Sequence, residues 1–243
     1  MLNSIEVKQL ALEVGFDACG IARADALRDD EYPLRQWLAR GWHGDLQYME
    51  RNVDKRMDPR LLVPGAQTVI CVVSAYTPPS TDIPTDGIAA YARHREYHKV
   101  VKEMLFNLQQ RLGIDGKVCC DTVPISDKHW AARAGLGWIG RHTLLVTPQW
   151  GSWVNLGEIV TTEECSEYSE SSDYSDFCIH CNRCVEACPN GAIAADGAPM
   201  IDARRCTAYY TTHNPRPLPP DIDAHGYTLG CDICQQACPF NNK

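Results

Sequence analysis

The sequence predicts an α/β fold in two parts, a mixed-sheet domain over residues 1–162 and a smaller domain built on cysteines over 177–243. Two observations lead there. Helical and strand periodicities alternate through the first part, and eight of the 13 cysteines crowd between Cys178 and Cys238 in short, regular spacings. A third observation marks the boundary. The run TTEECSEYSESSDYSDF holds six carboxylates and no Lys or Arg, which is the composition of a solvated linker, placed at 163–176.

The elements follow in order. The N-terminal segment reads as a helix capped by Asn3 or Ser4 and stopped at Gly15. FDACGIA is a short strand, PLRQWLARG a helix ending at Gly41, and QTVICVVSAY a strand apolar enough to be buried on both faces. PPSTDIPTDG is a loop. In YHKVVKEMLFNLQQRLG the apolar residues Val100, Val101, Leu105, Leu108 and Leu112 fall at helical spacing, and glycine closes the run. KVCCDTVPI, HTLLVT and SWVNLGEIV supply the remaining strands. The second part shows little regular structure, and proline-rich HNPRPLPPD joins its two cysteine groups. Such a segment cannot fold on apolar burial alone, so inorganic clusters are expected to supply its core.

Composition sets outer bounds. Hydrophobic residues make up 44% of the chain, and no apolar run is long enough to span a membrane. The N-terminus lacks the pattern of an export signal, so a cytoplasmic protein is expected. Residues 1–150 carry 18 basic and 18 acidic side chains, so the net charge of −8 falls on the remainder, with 5 and 13. Cys19, Cys71, Cys119, Cys120 and Cys165 are scattered; Cys71 reads as a small buried hydrophobe, and Cys119 and Cys120 as strand residues.

The clustered cysteines read Cys178-x2-Cys181-x2-Cys184-x3-Cys188-Pro189, then Cys206, then Cys231-x2-Cys234-x3-Cys238-Pro239. The first run has the bacterial ferredoxin spacing, in which the fourth cysteine ligates the other of two 4Fe–4S clusters. That crossing gives one cluster on Cys178, Cys181, Cys184 and Cys238, and a second on Cys188, Cys206, Cys231 and Cys234. Eight ligands serve two clusters with none left over. Paired zinc sites are the alternative, since C-x2-C also binds zinc, but three close cysteines and a C-x3-C-P ending argue for iron–sulfur.

Outside the cysteines, the segment from Asp121 to Glu158 is dense in glycine. Gly135, Gly137, Gly140, Gly151 and Gly157 suit chain reversal or close approach to a large planar ligand, and equally suit ordinary helix ends and turns. The chain here resembles the epoxyqueuosine reductases, cobalamin-dependent iron–sulfur enzymes of tRNA modification. The matching stretches are YMERNVDKRMDPRLLVPGA, YARHREYHKVV, AARAGLGWIGRHTLL, DARRCTAYYT and GCDICQQACPFN, which together span nearly the whole chain. The resemblance implies cobalamin between the α/β domain and the double-cluster domain, epoxyqueuosine in tRNA as substrate, and a low-potential electron donor as partner. It implies Asp121, in Asp-Thr-Val-Pro, as proton donor and cofactor contact. Arg56, His142, Val146 and Gly157 become cobalamin contacts, with Tyr97, His98 and Lys99 facing substrate or cofactor.

The chemistry agrees with this. Removing an epoxide oxygen takes two electrons and protonation of that oxygen, while 4Fe–4S clusters pass electrons singly, so a corrinoid bridges the two demands. The D-x-H-x-x-G signature of a histidine on cobalt is absent, which predicts no protein histidine ligand. Longer family members carry a helical-repeat region after the last cluster motif, so the resemblance implies a short form. Arg51, Lys55, Arg56, Arg60, Arg93, Arg95 and Lys99 form a candidate basic face for tRNA. A corrinoid reductase of another small molecule and a plain ferredoxin-type carrier are the competing readings.

Overall fold

The computed structural model describes residues 1–77, 86–93, 96–170, 176–213 and 217–241. Most of the PPSTDIPTDG loop, Arg95, and parts of the acidic run and of HNPRPLPPD lie outside the described residues. The first helix, α1 (Ser4–Val14), begins where Asn3 accepts the Ile5 and Glu6 amides and ends at Gly15 in the left-handed region. Strand β1 (Ala18–Arg23) follows, then α2 (Arg28–Ala39). Helix α2 starts five residues before Pro33, which the sequence suggested as its opening. Asp29, Asp30 and Glu31 fill its first turn, where the helix dipole favours negative charge, and the proline is carried inside.

After α3 (Val53–Met57), strand β2 (Thr68–Ala75) is buried over its first six residues. Helix α4 (Tyr97–Leu112) leads to β3 (Lys117–Cys119), and α5 (Asp127–Arg133) to the hairpin strands β4 (Trp138–Ile139) and β5 (Leu145–Val146). The long β6 (Val154–Thr161) completes the main sheet, ordered β1-β2-β6-β3, with every named pair antiparallel. Among the described residues, parallel pairing is confined to isolated bridges such as Leu2 to Cys165 and Ile88 to Leu229.

Alternation along the strands gives the sheet two apolar faces. One face packs Ile21, Ile70, Val72 and Ile159 against α1 and α4 through Val7, Ala11, Val101, Leu105 and Leu108. The other sets Val69, Cys71, Cys119 and Val160 against Met57 of α3, Trp130 of α5 and Ala134 just after it. The domain is thus a helix–sheet–helix sandwich. Fully burying each large aliphatic side chain contributes about 1.5–3 kcal/mol, so the two layers carry this part of the molecule.

The acidic run departs from the solvated linker expected of it. Cys165 is buried in the first core, the Ser169 amide donates to Ile21 O at 2.7 Å, and Ser169 Oγ accepts the Ile21 amide at 3.0 Å. Residues 163–170 are therefore pinned along β1. An edge strand offers unpaired backbone groups, and this segment covers them.

The cysteine-bearing part has short helices only: α6 (Asp176–Ile179), α7 (Arg183–Ala187) and α8 (Ile233–Gln236). Its apolar cluster of Ala203, Tyr209, Tyr210 and Ile222 is shared with Trp37 and Leu46 of the first part. A buried polar network fixes the two parts together. Asn241 accepts the Ser152 amide at 2.6 Å and donates to Ser152 Oγ at 2.8 Å and Gln235 O at 2.7 Å, while Gln235 donates to Ser152 O at 2.8 Å. Gly151, at φ +57°, makes this approach feasible, because a Cβ there would stand 1.8 Å from Asn241 Oδ1.

Candidate active site and cluster ligands

Asp121 lies two residues beyond β3 with φ +55°, a conformation that non-glycine residues seldom adopt and that recurs at functional sites. The first turn of α4 holds its carboxylate. Tyr97 donates its hydroxyl to Asp121 Oδ2, and His98 Nε2 lies 3.0 Å from the same oxygen. The two rings stack with centroids 4.0 Å apart. Burial, reinforced by the Asp121 charge, pushes the Tyr97 phenol well above its ordinary range, so Tyr97 acts as a donor. Lys102, one turn further along α4, donates to Thr122 Oγ1 at 2.8 Å.

Gly157 explains how α4 reaches this loop. A Cβ on Gly157 would stand 2.8 Å from both Leu105 and Val101. The space left by its missing side chain is filled by α4, so this glycine seats the helix that carries Tyr97 and His98. The other glycines of the segment also meet protein atoms. Gly137 closes on Val146 O, Gly135 follows α5 at φ +76°, and Gly140 packs on Val146 and His142. The turn-and-packing reading accounts for these contacts.

Beneath Asp121 lie two carboxyl groups that sequence reasoning did not single out. Asp127, the first residue of α5, accepts the Asp121 amide at 3.4 Å. Glu158 is fully buried in β6 opposite Cys71 and Cys119, with the Asp127 carboxyl as its polar neighbour. Burial raises the Asp127 carboxyl to about 6, with the Asp121 charge adding to it. Burial, then the Asp127 charge and a hydrogen bond with the Asp127 carboxyl, push Glu158 well above the usual carboxylate range. The only hint in the sequence was a glutamate inside a strand pattern.

The start of helix α5 links this acid end to the loop that carries His142. Lys128 donates to Thr143 O at 2.6 Å, and its burial lowers it to about 8. His142 is buried in that loop. Its Nδ1 accepts the Leu144 amide at 3.2 Å and its Nε2 has no partner. Burial, with Lys128 adding to it, brings His142 down to about 4, so the ring is neutral with its proton on Nε2. Val146 is buried on β5 against Gly140. Arg56, at the acid end, donates to Tyr48 O at 3.1 Å and keeps a buried Nε without a partner.

His142 also lines a small pocket together with Arg141, Phe177, Cys178, Cys181, Cys184 and Cys238. The structure thus brings together the four cysteines that ferredoxin crossing assigns to one cluster, although Cys238 lies far from the others in sequence. Burial and its neighbours Cys238, Cys178 and Cys181 raise the Cys184 thiol to about 11. In the second group, the Cys234 thiol is raised by burial and then by Cys206, Cys231 and Cys188. Amide and indole donors surround both groups. Trp138 Nε1 donates to Cys178 Sγ at 3.4 Å and the Ala192 amide to Cys188 Sγ at 3.2 Å. Such donors stabilise thiolate and cluster sulfur and set cluster potentials.

The basic face is partly neutralised. Arg60 pairs with Asp58 at 2.8 Å, and Arg93 pairs with Asp86. Arg51, Lys55 and Lys99 are exposed. Lys99 projects from α4 beside the acid end, whereas Tyr97 and His98 turn inward to Asp121.

A helix-covered antiparallel sheet with an acid loop at one end, joined to two four-cysteine groups, defines a redox protein with a double-cluster module. Residues 177–241 match the 4Fe–4S double cluster binding domain, and residues 56–122 match the family described as epoxyqueuosine reductase QueG. The chain is 39% identical to an epoxyqueuosine reductase of Gloeobacter violaceus, covering 98% of this chain and 76% of the relative. It therefore belongs to the epoxyqueuosine reductase family of oxidoreductases. The structure of epoxyqueuosine reductase from Streptococcus thermophilus aligns with a TM-score of 0.86 at 29% identity, covering 98% of this chain and 66% of that one. An epoxyqueuosine reductase in complex with an epoxyqueuosine-modified tRNA-Tyr stem loop aligns at 0.87 and 29%, covering 98% and 65%. The chain thus spans about two thirds of these solved structures.

Proposed function

We propose that this chain reduces epoxyqueuosine to queuosine in tRNA, with cobalamin held between the sheet domain and the cluster module. The observation that carries this reading is Asp121, set at the rim of the sheet by Tyr97 and His98, while Lys128, next to the neighbouring acid Asp127, holds the Thr143 loop beside His142, which lines the pocket of cluster cysteines. Two buried polar atoms near these groups have no partner. Arg56 Nε and His142 Nε2 are donors kept from water, and they fit the polar periphery of a bound corrinoid. Arg56, His142 and Val146 would hold the group.

When bound, cobalamin supplies a metal centre that stores two electrons from one-electron clusters. The chain's own residues do the rest. The eight cluster cysteines bind iron as thiolates, and Trp138 and the Ala192 amide stabilise that state. Asp121 presents its carboxyl at the site rim and gives a proton to the leaving epoxide oxygen. Tyr97 and His98 then stabilise the carboxylate left behind. Exposed Arg51, Lys55 and Lys99 offer phosphate contacts to a tRNA stem loop. Among the described residues no helix is long and apolar enough to cross a membrane.

The test is anaerobic reconstitution with iron, sulfide and cobalamin, followed by assay on epoxyqueuosine-containing tRNA. Stoichiometric cobalamin binding with queuosine formed by wild type, and a loss of about 10²-fold or more in Asp121→Asn, is the expected result. Cobalamin binding without turnover would move the substrate elsewhere. Failure to bind cobalamin would remove the corrinoid from the reading and leave an electron carrier.

A further inference from the structure

The balance of the reaction exposes a requirement that one carboxyl group does not meet. Converting an epoxide to an alkene, with its oxygen lost as water, consumes two electrons and two protons. Both protons go to one oxygen, first as a carbon–oxygen bond opens and again as hydroxide leaves as water. Asp121 holds one transferable proton, so it must be recharged within each turnover.

The geometry says where that proton comes from. Both contacts to the Asp121 carboxyl fall on Oδ2, from the Tyr97 hydroxyl and His98 Nε2, and among the described residues none falls on Oδ1. Oδ1 is thus the oxygen left to hold the proton that is transferred. Of the two groups on Oδ2, burial keeps Tyr97 protonated, which disqualifies it as a source of protons at neutral pH. His98 differs. Its side chain is 33% exposed and that of Asp121 45%, so the His98 ring touches both the carboxylate and solvent and is the route that remains once bound substrate covers Oδ1. Other titratable groups do not take its place. Lys102 is spent on Thr122, Tyr48 and His213 interact with Asp121 only through charge, and Asp127 meets the backbone amide rather than the carboxyl.

We propose that His98 is the proton relay that recharges Asp121 from solvent. This rests on the reductase reading above. In each cycle the Asp121 Oδ1–H bond breaks as the proton passes to the substrate oxygen. The carboxylate then takes the Nε2 proton of the His98 imidazolium at Oδ2, and the neutral ring regains a proton from water. A turn of the carboxyl group about its Cβ–Cγ bond then exchanges the two oxygens, so the proton taken up from His98 comes to the substrate side and the freed oxygen returns to the His98 and Tyr97 contacts. No redox step is added. His98 acts through Asp121, so it is a positioning and supply residue rather than one that touches substrate.

Two substitutions separate supply from mere positioning. In His98→Gln the amide still donates a hydrogen bond to Oδ2 but cannot shuttle a proton, whereas His98→Ala removes both functions. In the cluster- and cobalamin-loaded protein, steady-state queuosine formation is expected to fall about tenfold or more in both variants. Added imidazole should restore His98→Ala, and the solvent isotope effect should rise in His98→Gln. A His98→Gln enzyme as fast as wild type would overturn the relay and leave a hydrogen-bond role. So would equal loss in both variants with no imidazole rescue and no change in isotope effect. The pairing is checked without turnover by the ¹⁵N signal of His98 Nε2 in the loaded protein. A hydrogen-bonded signal that vanishes in Asp121→Asn supports the pair, and its absence from wild type sinks the relay. If wild type binds cobalamin but makes no queuosine, the substrate reading fails, while this signal still decides whether His98 and Asp121 form the pair.

Discussion

The sheet domain and the cysteine module are held together by different physics. In the sheet domain, two apolar layers bury Ile70, Val72, Leu105 and Leu108 on one side and Val69, Trp130 and Val160 on the other. In the module, four residues make the buried cluster, and it borrows Trp37 and Leu46 from the first part. The module's remaining order comes from the Ser152–Gln235–Asn241 network and from thiols that surround sites for iron. One region is thus built to be stable by itself. The other is built to be completed, by its neighbour on one side and by inorganic sulfur on the other.

The largest effect that can break this comparison is removal of a cluster ligand. Cys206→Ala takes one cysteine from the second group, which draws its other members from Cys188, Cys231 and Cys234. Reconstituted protein should fall from about eight irons per chain to about four, with electron delivery lost. Far-ultraviolet circular dichroism should keep the sheet signal, because no part of either sheet layer rests on Cys206. Loss of all eight irons together with the sheet signal would show that the two regions fold as one unit.

A smaller effect tests the seam. Gly151→Ala forces a side chain to 1.8 Å from Asn241 Oδ1 at a backbone φ of +57°, so the loop must move or the network must open. Asn241→Ala keeps the backbone and strands the Ser152 amide and the Gln235 carbonyl instead. Each should cost about 2–3 kcal/mol, read as a lower melting temperature and earlier proteolysis within residues 177–241. If Asn241→Ala melts like wild type, water replaces the network and the seam is weaker than its hydrogen bonds imply.

The sequence was most informative where the causes are local. The Asn3 cap, the Gly15 stop and the buried run of β2 are dictated by neighbouring residues, and the structure has each of them. The ferredoxin spacing suggested a long-range pairing of Cys238 with Cys178, Cys181 and Cys184, and the structure sets these four around one pocket, because the ligand pattern encodes a distant contact through a motif. What escaped reading depends on residues far apart in the chain. Tyr97 and His98 meet Asp121 across 24 and 23 intervening steps of sequence, through a helix whose seat is fixed by Gly157 on β6. The acidic run read as solvated because charge dominates its composition, yet Cys165 and Ser169 tie it to β1. Glu158 looked like an ordinary strand residue. Only the register that sets it between Cys71 and Cys119 shows that it is a carboxyl group enclosed by apolar and thiol side chains.

That glutamate gives the smallest and most discriminating prediction, because it is the one fully buried carboxyl in the region otherwise held by apolar contact. In the unfolded chain Glu158 releases its proton near the ordinary glutamate value, while in the fold burial and Asp127 keep the proton on. Between those two values the folded state binds more protons than the unfolded state, so stability falls as pH rises through the window. The penalty is absent below the unfolded value and grows upward from it, since the unfolded chain gains by ionising and the fold does not. Glu158→Gln preserves the shape, removes the proton and with it this pH dependence. Between pH 5 and 8 the variant should therefore gain about 1–2 kcal/mol relative to wild type, read from paired urea melts of cluster-loaded protein. Asp127, raised to about 6, gives a slope of the same sign and remains in the variant, so the two profiles should diverge and not simply shift. Parallel profiles would mean that Glu158 finds a further partner or reaches water in solution. The sheet domain would then contain a polar channel beneath Asp121, and its contrast with the cysteine module would be one of degree.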